Sequence, residues 1–98
     1  MNLIKMNGDK VELRKDNGSF IRTITDKAVS AQLNNNQDLV VVTKTDGKVE
    51  LRKENGSFIR TITDNARDAR FNGTDIAITK NDGKVELRKE NGSYIRTI

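Results

Sequence analysis

The sequence predicts an all-β fold of antiparallel four-stranded sheets, and three observations carry that expectation. Apolar residues recur mostly at every second position, the spacing of a half-buried strand. No proline occurs in the 98 residues, whereas Asn-Gly and Asp-Gly dipeptides separate the alternating runs. Such dipeptides are strong hairpin signals, because glycine takes the positive φ of a tight turn without strain. Third, one phrase is written almost three times: VELRKDNGSFIRTI from Val11, VELRKENGSFIRTI from Val49 and VELRKENGSYIRTI from Val85, with starts 38 and 36 residues apart. A period in that range marks stacked units, none of which buries its own faces alone.

The elements follow in chain order. NLIKM (Asn2–Met6) matches the second strand of the later units, and the Val11 phrase adds two more strands. The middle unit reads as AVSAQL, DLVVVTK, KVELRK and SFIRTIT. The last reads as ARDARF (Ala66–Phe71), DIAITK (Asp75–Lys80), KVELRK (Lys84–Lys89) and SYIRTI (Ser93–Ile98). The chain is thus expected to be one repeat domain of eleven strands, three in residues 1–25, four in 26–62 and four in 63–98. Asn34–Gln37 is a longer loop than its counterpart Asn72–Thr74.

Hairpin registers can also be argued. A three-residue Glu54-Asn55-Gly56 loop, a type I turn followed by a glycine bulge, pairs Leu51 with Ile59 and Val49 with Thr61. The other face then sets Glu50 against Arg60 and Arg52 against Phe58, an ion pair and a guanidinium over a ring. The preceding turn fits a two-residue Asp46-Gly47 loop, which sets Val42 opposite Leu51 and Thr43 opposite Glu50.

Composition narrows the class. The chain is 34% hydrophobic and 33% charged, with Phe20, Phe58, Phe71 and Tyr94 as its aromatics, a thin supply of large core side chains. Eighteen basic and fourteen acidic residues are interleaved, which reads as a solvated, ion-paired surface. The N-terminus has no apolar signal-like stretch, and the run Leu39–Val42 is too short to span a bilayer. No membrane partner is expected, and a cytoplasmic or virion-associated location is the default. The Asn-Gly-Ser/Thr sequons at Asn17, Asn55, Asn72 and Asn91 read as turns.

The full unit resembles a WD-repeat blade of a β-propeller. Small or apolar residues at the first, fourth and sixth places (Ala66, Ala69, Phe71; Ala28, Ala31, Leu33) are similar to the family's inner strand. NDGKVELRKENGSYIRTI resembles its aspartate–glycine turn, third strand, glycine turn and outer strand. Where the family ends its third strand with Trp-Asp, this chain has Arg14-Lys15, Arg52-Lys53 and Arg88-Lys89. Where it has Gly-His, this chain has Thr25-Asp26-Lys27 and Thr63-Asp64-Asn65. The repeated Glu–Arg pairs are expected to replace the lost polar network between blades.

The resemblance implies a closed ring of about four to eight blades, and three cannot close one. A linear stack leaves two apolar faces wet, which soluble monomers rarely tolerate. The expected solution is a homo-oligomeric ring with heterologous contacts. Two chains, giving six blades, are favoured; three chains, giving nine, are the alternative, and an open β-stack or solenoid is the third.

Chemistry is sparse. Histidine and cysteine are absent, which removes the usual nucleophile–base pairs, thiolate ligands and disulfides. The Asp-Gly turns lack calcium-loop spacing, so neither a metal nor another cofactor is expected. Glu12, Glu50 and Glu86 with Arg22, Arg60 and Arg96 are read as a structural ladder, and Arg14, Arg52 and Arg88 as covers over Phe20, Phe58 and Tyr94. The same nine charged residues are the candidate inter-blade ligand positions. The expected function is therefore a non-enzymatic interaction scaffold with a protein partner, by analogy with propeller rims. A lectin-like module binding a glycan or small ligand between blades is the alternative. Nucleic-acid binding through Lys10, Lys48 and Lys84 is weaker, because Asp9, Asp46 and Asp82 offset their field.

Overall fold

A computed structural model describes all residues 1–98, which form eleven strands and no helix. They are β1 (Asn2–Asn7), β2 (Lys10–Lys15), β3 (Phe20–Thr25), β4 (Ala28–Leu33), β5 (Leu39–Lys44), β6 (Val49–Lys53), β7 (Phe58–Thr63), β8 (Ala66–Asn72), β9 (Asp75–Lys80), β10 (Val85–Lys89) and β11 (Tyr94–Thr97). Within each sheet, strands adjacent in sequence pair antiparallel, giving one three-stranded sheet (β1–β3) and two four-stranded sheets (β4–β7, β8–β11). No helix is long and apolar enough to cross a membrane.

The sheets stack face to face through two apolar seams. In the first, Val11, Leu13 and Ile24 of the first sheet meet Ala28, Val40 and Val42 of the second. In the second seam, Val41, Val49, Leu51 and Ile62 meet Ala66, Ala69, Ile76 and Ile78. The middle sheet is covered on both faces, which is why Val40, Val41 and Val42 run consecutively and are all fully buried. In β1 burial alternates residue by residue, because only one face is covered. Ala28, Ala66 and Ala69 lie in the seams, where small side chains let neighbouring sheets approach.

Two registers differ from the expectation. Asp46-Gly47 is not a two-residue loop. Lys44 N–H donates to the Lys48 carbonyl at 2.8 Å and Gly47 N–H to that of Lys44 at 3.0 Å, so Thr45-Asp46-Gly47 forms a three-residue loop. The Asp46 carboxylate accepts from Lys48 N–H at 3.0 Å, which favours the type I turn, and Gly47 takes the bulge position at φ 90°. Val42 therefore lies opposite Glu50, and Thr43 opposite Val49.

The β6–β7 turn has the expected three-residue loop, and Arg52 faces Phe58 as predicted. The register then slips: Leu51 pairs with Arg60, Glu50 with Thr61 and Val49 with Thr63. The predicted Glu50–Arg60 and Leu51–Ile59 pairs do not form. Ile59 and Ile62 are three residues apart, so a regular strand would point them to opposite faces. The register shifts let both join the second seam, and that burial outweighs a surface ion pair.

Gly56, at φ 94°, lies where a Cβ would sit 3.3 Å from the Ile24 carbonyl oxygen. Gly73, also left-handed at φ 63°, has open space around it. Gly73→Ala is expected to cost about 1–2 kcal/mol from the left-handed backbone alone, and Gly56→Ala measurably more, because the first seam must also widen. Urea unfolding of the two variants checks this; equal losses would contradict the close approach.

Candidate functional site

In VELRK, Glu and Arg two places apart share a face of the strand. Arg14 Nε reaches Glu12 Oε1 at 3.0 Å, Arg52 Nε reaches Glu50 Oε1 at 3.0 Å, and Arg88 Nε reaches Glu86 Oε1 at 3.1 Å. Each guanidinium also donates to the carbonyl of the following turn glycine: Gly18 at 2.8 Å, Gly56 at 2.9 Å and Gly92 at 2.9 Å. Each lies 5.6 Å from a ring centroid, of Phe20, Phe58 or Tyr94. One arginine thus fixes strand, turn and aromatic together, three times over.

Hydrogen bonds from Arg14, and then from the Asn7 amide, hold the Glu12 carboxyl below its ordinary value of 4.5; burial opposes them and loses. A carboxyl whose pKa is lower in the folded state contributes stability that is present above the unfolded value and lost as pH falls. Glu12→Gln should therefore flatten the acid limb of stability between about pH 5 and pH 3. Urea midpoints across that range read the effect, and parallel curves for the two proteins would refute it.

Arg22, Arg60 and Arg96 do something else. Arg22 crosses the first seam, its Nη1 donating to the Glu54 carbonyl at 3.0 Å and to the Glu54 carboxylate at 3.1 Å. Arg60 crosses the second seam to the Glu90 carbonyl at 2.7 Å. Arg96 holds the same place opposite Leu87 in the third sheet, with no further sheet in the chain to reach. The residue aligned with Glu54 and Glu90 in the first sheet is Asp16, which binds the N-terminal ammonium at 3.2 Å.

Sequence reasoning missed the rest of the seam. Lys44 Nζ donates to Thr25 Oγ1 at 3.0 Å and to the Asp26 carbonyl; Lys80 Nζ donates to Thr63 Oγ1 at 3.2 Å and to the Asp64 carbonyl. Ala28 N–H donates to the Asp9 carbonyl and Ala66 N–H to that of Gly47, both at 2.9 Å. The recurrence of Thr-Asp before each first strand was the available signal. Near the first strands, Ser30 Oγ bonds Asp68 Oδ1 at 2.9 Å, and Phe71 N–H donates to Gln32 Oε1 at 2.6 Å.

The outer faces of the two end sheets leave exposed some residues whose counterparts are buried in the seams. Ile98 is 76% exposed, whereas Ile24 and Ile62, at the same repeat position, are each 5% exposed. Leu3 is 42% exposed, whereas its counterparts Val40 and Ile76 are fully buried. None of the nine predicted charged residues lines a cleft, and no aromatic ring does either. No three carboxylates converge as a metal ligand set. The chain matches no known protein-family model and no curated protein.

Proposed function

We propose that the chain is a non-catalytic, self-assembling unit of a β-propeller whose completed ring serves as an interaction scaffold. Copies join through a third seam equivalent to the two inside each chain. The reading is carried by the repetition of one seam twice within the chain, and by its complementary halves left bare at the two ends. Ala77, Val85, Leu87, Ile95 and Ile98 would present the face that Val41, Val49, Leu51, Ile59 and Ile62 present to the third sheet. Leu3 and its neighbours on the first sheet would receive it. The contact is heterologous, a kind that forms a ring when the rotation between copies closes, and two chains would then give six sheets.

At that junction Arg96 would meet Asp16, as Arg22 meets Glu54. Charge reversal tests the pairing. Arg96→Asp or Asp16→Arg alone should lower the solution mass toward that of one 11.0 kDa chain, and the double variant should restore it. Single variants that assemble as well as the parent would refute this junction.

A further inference from the structure

We propose that the free edge of β1 is a strand-acceptor site, which takes an extended segment of a partner polypeptide in the pattern small–x–polar–small–Gln–large. The first sheet has three strands, and the position that β4 and β8 hold in the other two is empty. Asn2 N–H leaves the ladder and donates to Gln37 Oε1 at 3.0 Å. Antiparallel pairing alternates, so Ile4 and Met6, which share the parity of Asn2, direct N–H and C=O to the same empty side. An edge of this kind binds a further strand through main-chain hydrogen bonds.

A groove of about 340 Å³ lies along this edge, walled by Leu3 and Ile4 on one side and Ala31 and Leu33 on the other. The two four-stranded sheets define what fits there. Both inner strands carry alanine at the first and fourth places and a large apolar residue at the sixth: Ala28, Ala31, Leu33 and Ala66, Ala69, Phe71. The fifth place has its own chemistry. Gln32 accepts from Phe71 N–H of the next sheet. Leu33 occupies the place of Phe71 one sheet earlier and pairs with β5 at a position that turns its N–H outward, so an incoming glutamine would accept from it. The third place of the incoming strand would meet Ser30, as Ser30 meets Asp68.

Gln37 guards the site at present. It sits at φ 61°, a left-handed conformation that costs a non-glycine residue, and its amide satisfies the first N–H of the edge. An incoming strand displaces it. Its main-chain hydrogen bonds run along the edge of β1 and need no second copy, although the vacant place is the one whose alanines lie in the seams in β4 and β8, so a bound strand would also border the third seam.

The test uses a labelled peptide of the chain's own Asp26–Asn34 sequence, DKAVSAQLN, titrated into the intact protein with anisotropy and amide-exchange readouts. The peptide should bind saturably and slow exchange at Ile4 and Met6, while a scrambled peptide should not. ARDARF, with arginine at the fifth place, should compete less well. Gln37→Gly should bind several-fold tighter, and Ile4→Pro, which removes an edge N–H and no β1–β2 bond, roughly tenfold weaker. Binding should persist in Arg96→Asp, because the edge hydrogen bonds lie within one copy. No binding by the parent and Gln37→Gly, equal binding of the scrambled peptide, or unchanged exchange at Ile4 and Met6 would each overturn the proposal.

Discussion

Truncating Ile98 to alanine is expected to destabilise the assembled protein by about 2–4 kcal/mol, close to the loss at Ile62 or Ile24. Within one chain the three isoleucines are unequal: Ile24 and Ile62 are 5% exposed and Ile98 is 76% exposed. A side chain that stays in water loses almost nothing on truncation, and surface changes usually fall within about 0.5 kcal/mol. A third seam between copies would bury Ile98 as the inner seams bury its counterparts. Its loss should then also depend on protein concentration, because it weakens association rather than folding within the chain. Thermal unfolding of the three variants at several concentrations measures this. A harmless Ile98→Ala beside damaging Ile24→Ala and Ile62→Ala would place that face in solvent.

The second large effect belongs to Arg52. Arg52→Ala should cost about 3 kcal/mol, since it strips a partly buried carboxylate of its partner, frees the Gly56 carbonyl and uncovers Phe58. Glu50 and Arg52 side chains are 15% and 19% exposed, so solvent replaces the lost contacts only in part. Arg70, 71% exposed beside Asp68, is the contrast: its ion pair is worth about 0–1 kcal/mol, and Arg70→Ala should be near neutral. Arg52→Lys should recover little, because one ammonium cannot serve the carboxylate, the turn and the ring from a rigid plane. Equilibrium urea unfolding ranks the three variants; equal losses at Arg52 and Arg70 would contradict the anchoring role.

Strand existence was legible because alternation and Asn-Gly or Asp-Gly punctuation are local signals, and all eleven strands stand where those signals put them. The Arg52–Phe58 pairing was also legible, being fixed by its own turn. Registers beyond the turns were not. Glu50 opposite Arg60 satisfies a local charge rule, yet the chain bulges to bring Ile59 and Ile62 into one seam, a demand set by the neighbouring sheet. The Asp46-Gly47 loop was misread because its length depends on whether the aspartate caps a backbone N–H. The candidate charged residues divide in the same way. The Glu–Arg pairs within VELRK obey strand parity, yet the sequence reading paired those glutamates across the hairpin with Arg22, Arg60 and Arg96; the partners of Arg22, Arg60, Lys44 and Lys80 follow from sheet stacking, about which the chain order is silent.

Absolute mass in solution, by light scattering on a sizing column over a wide concentration range, tests self-assembly most directly. A ring of two chains predicts a species of twice 11.0 kDa that persists on dilution and shrinks in Arg96→Asp. A folded protein that stays at 11.0 kDa at every concentration would contradict the third seam, and the propeller with it.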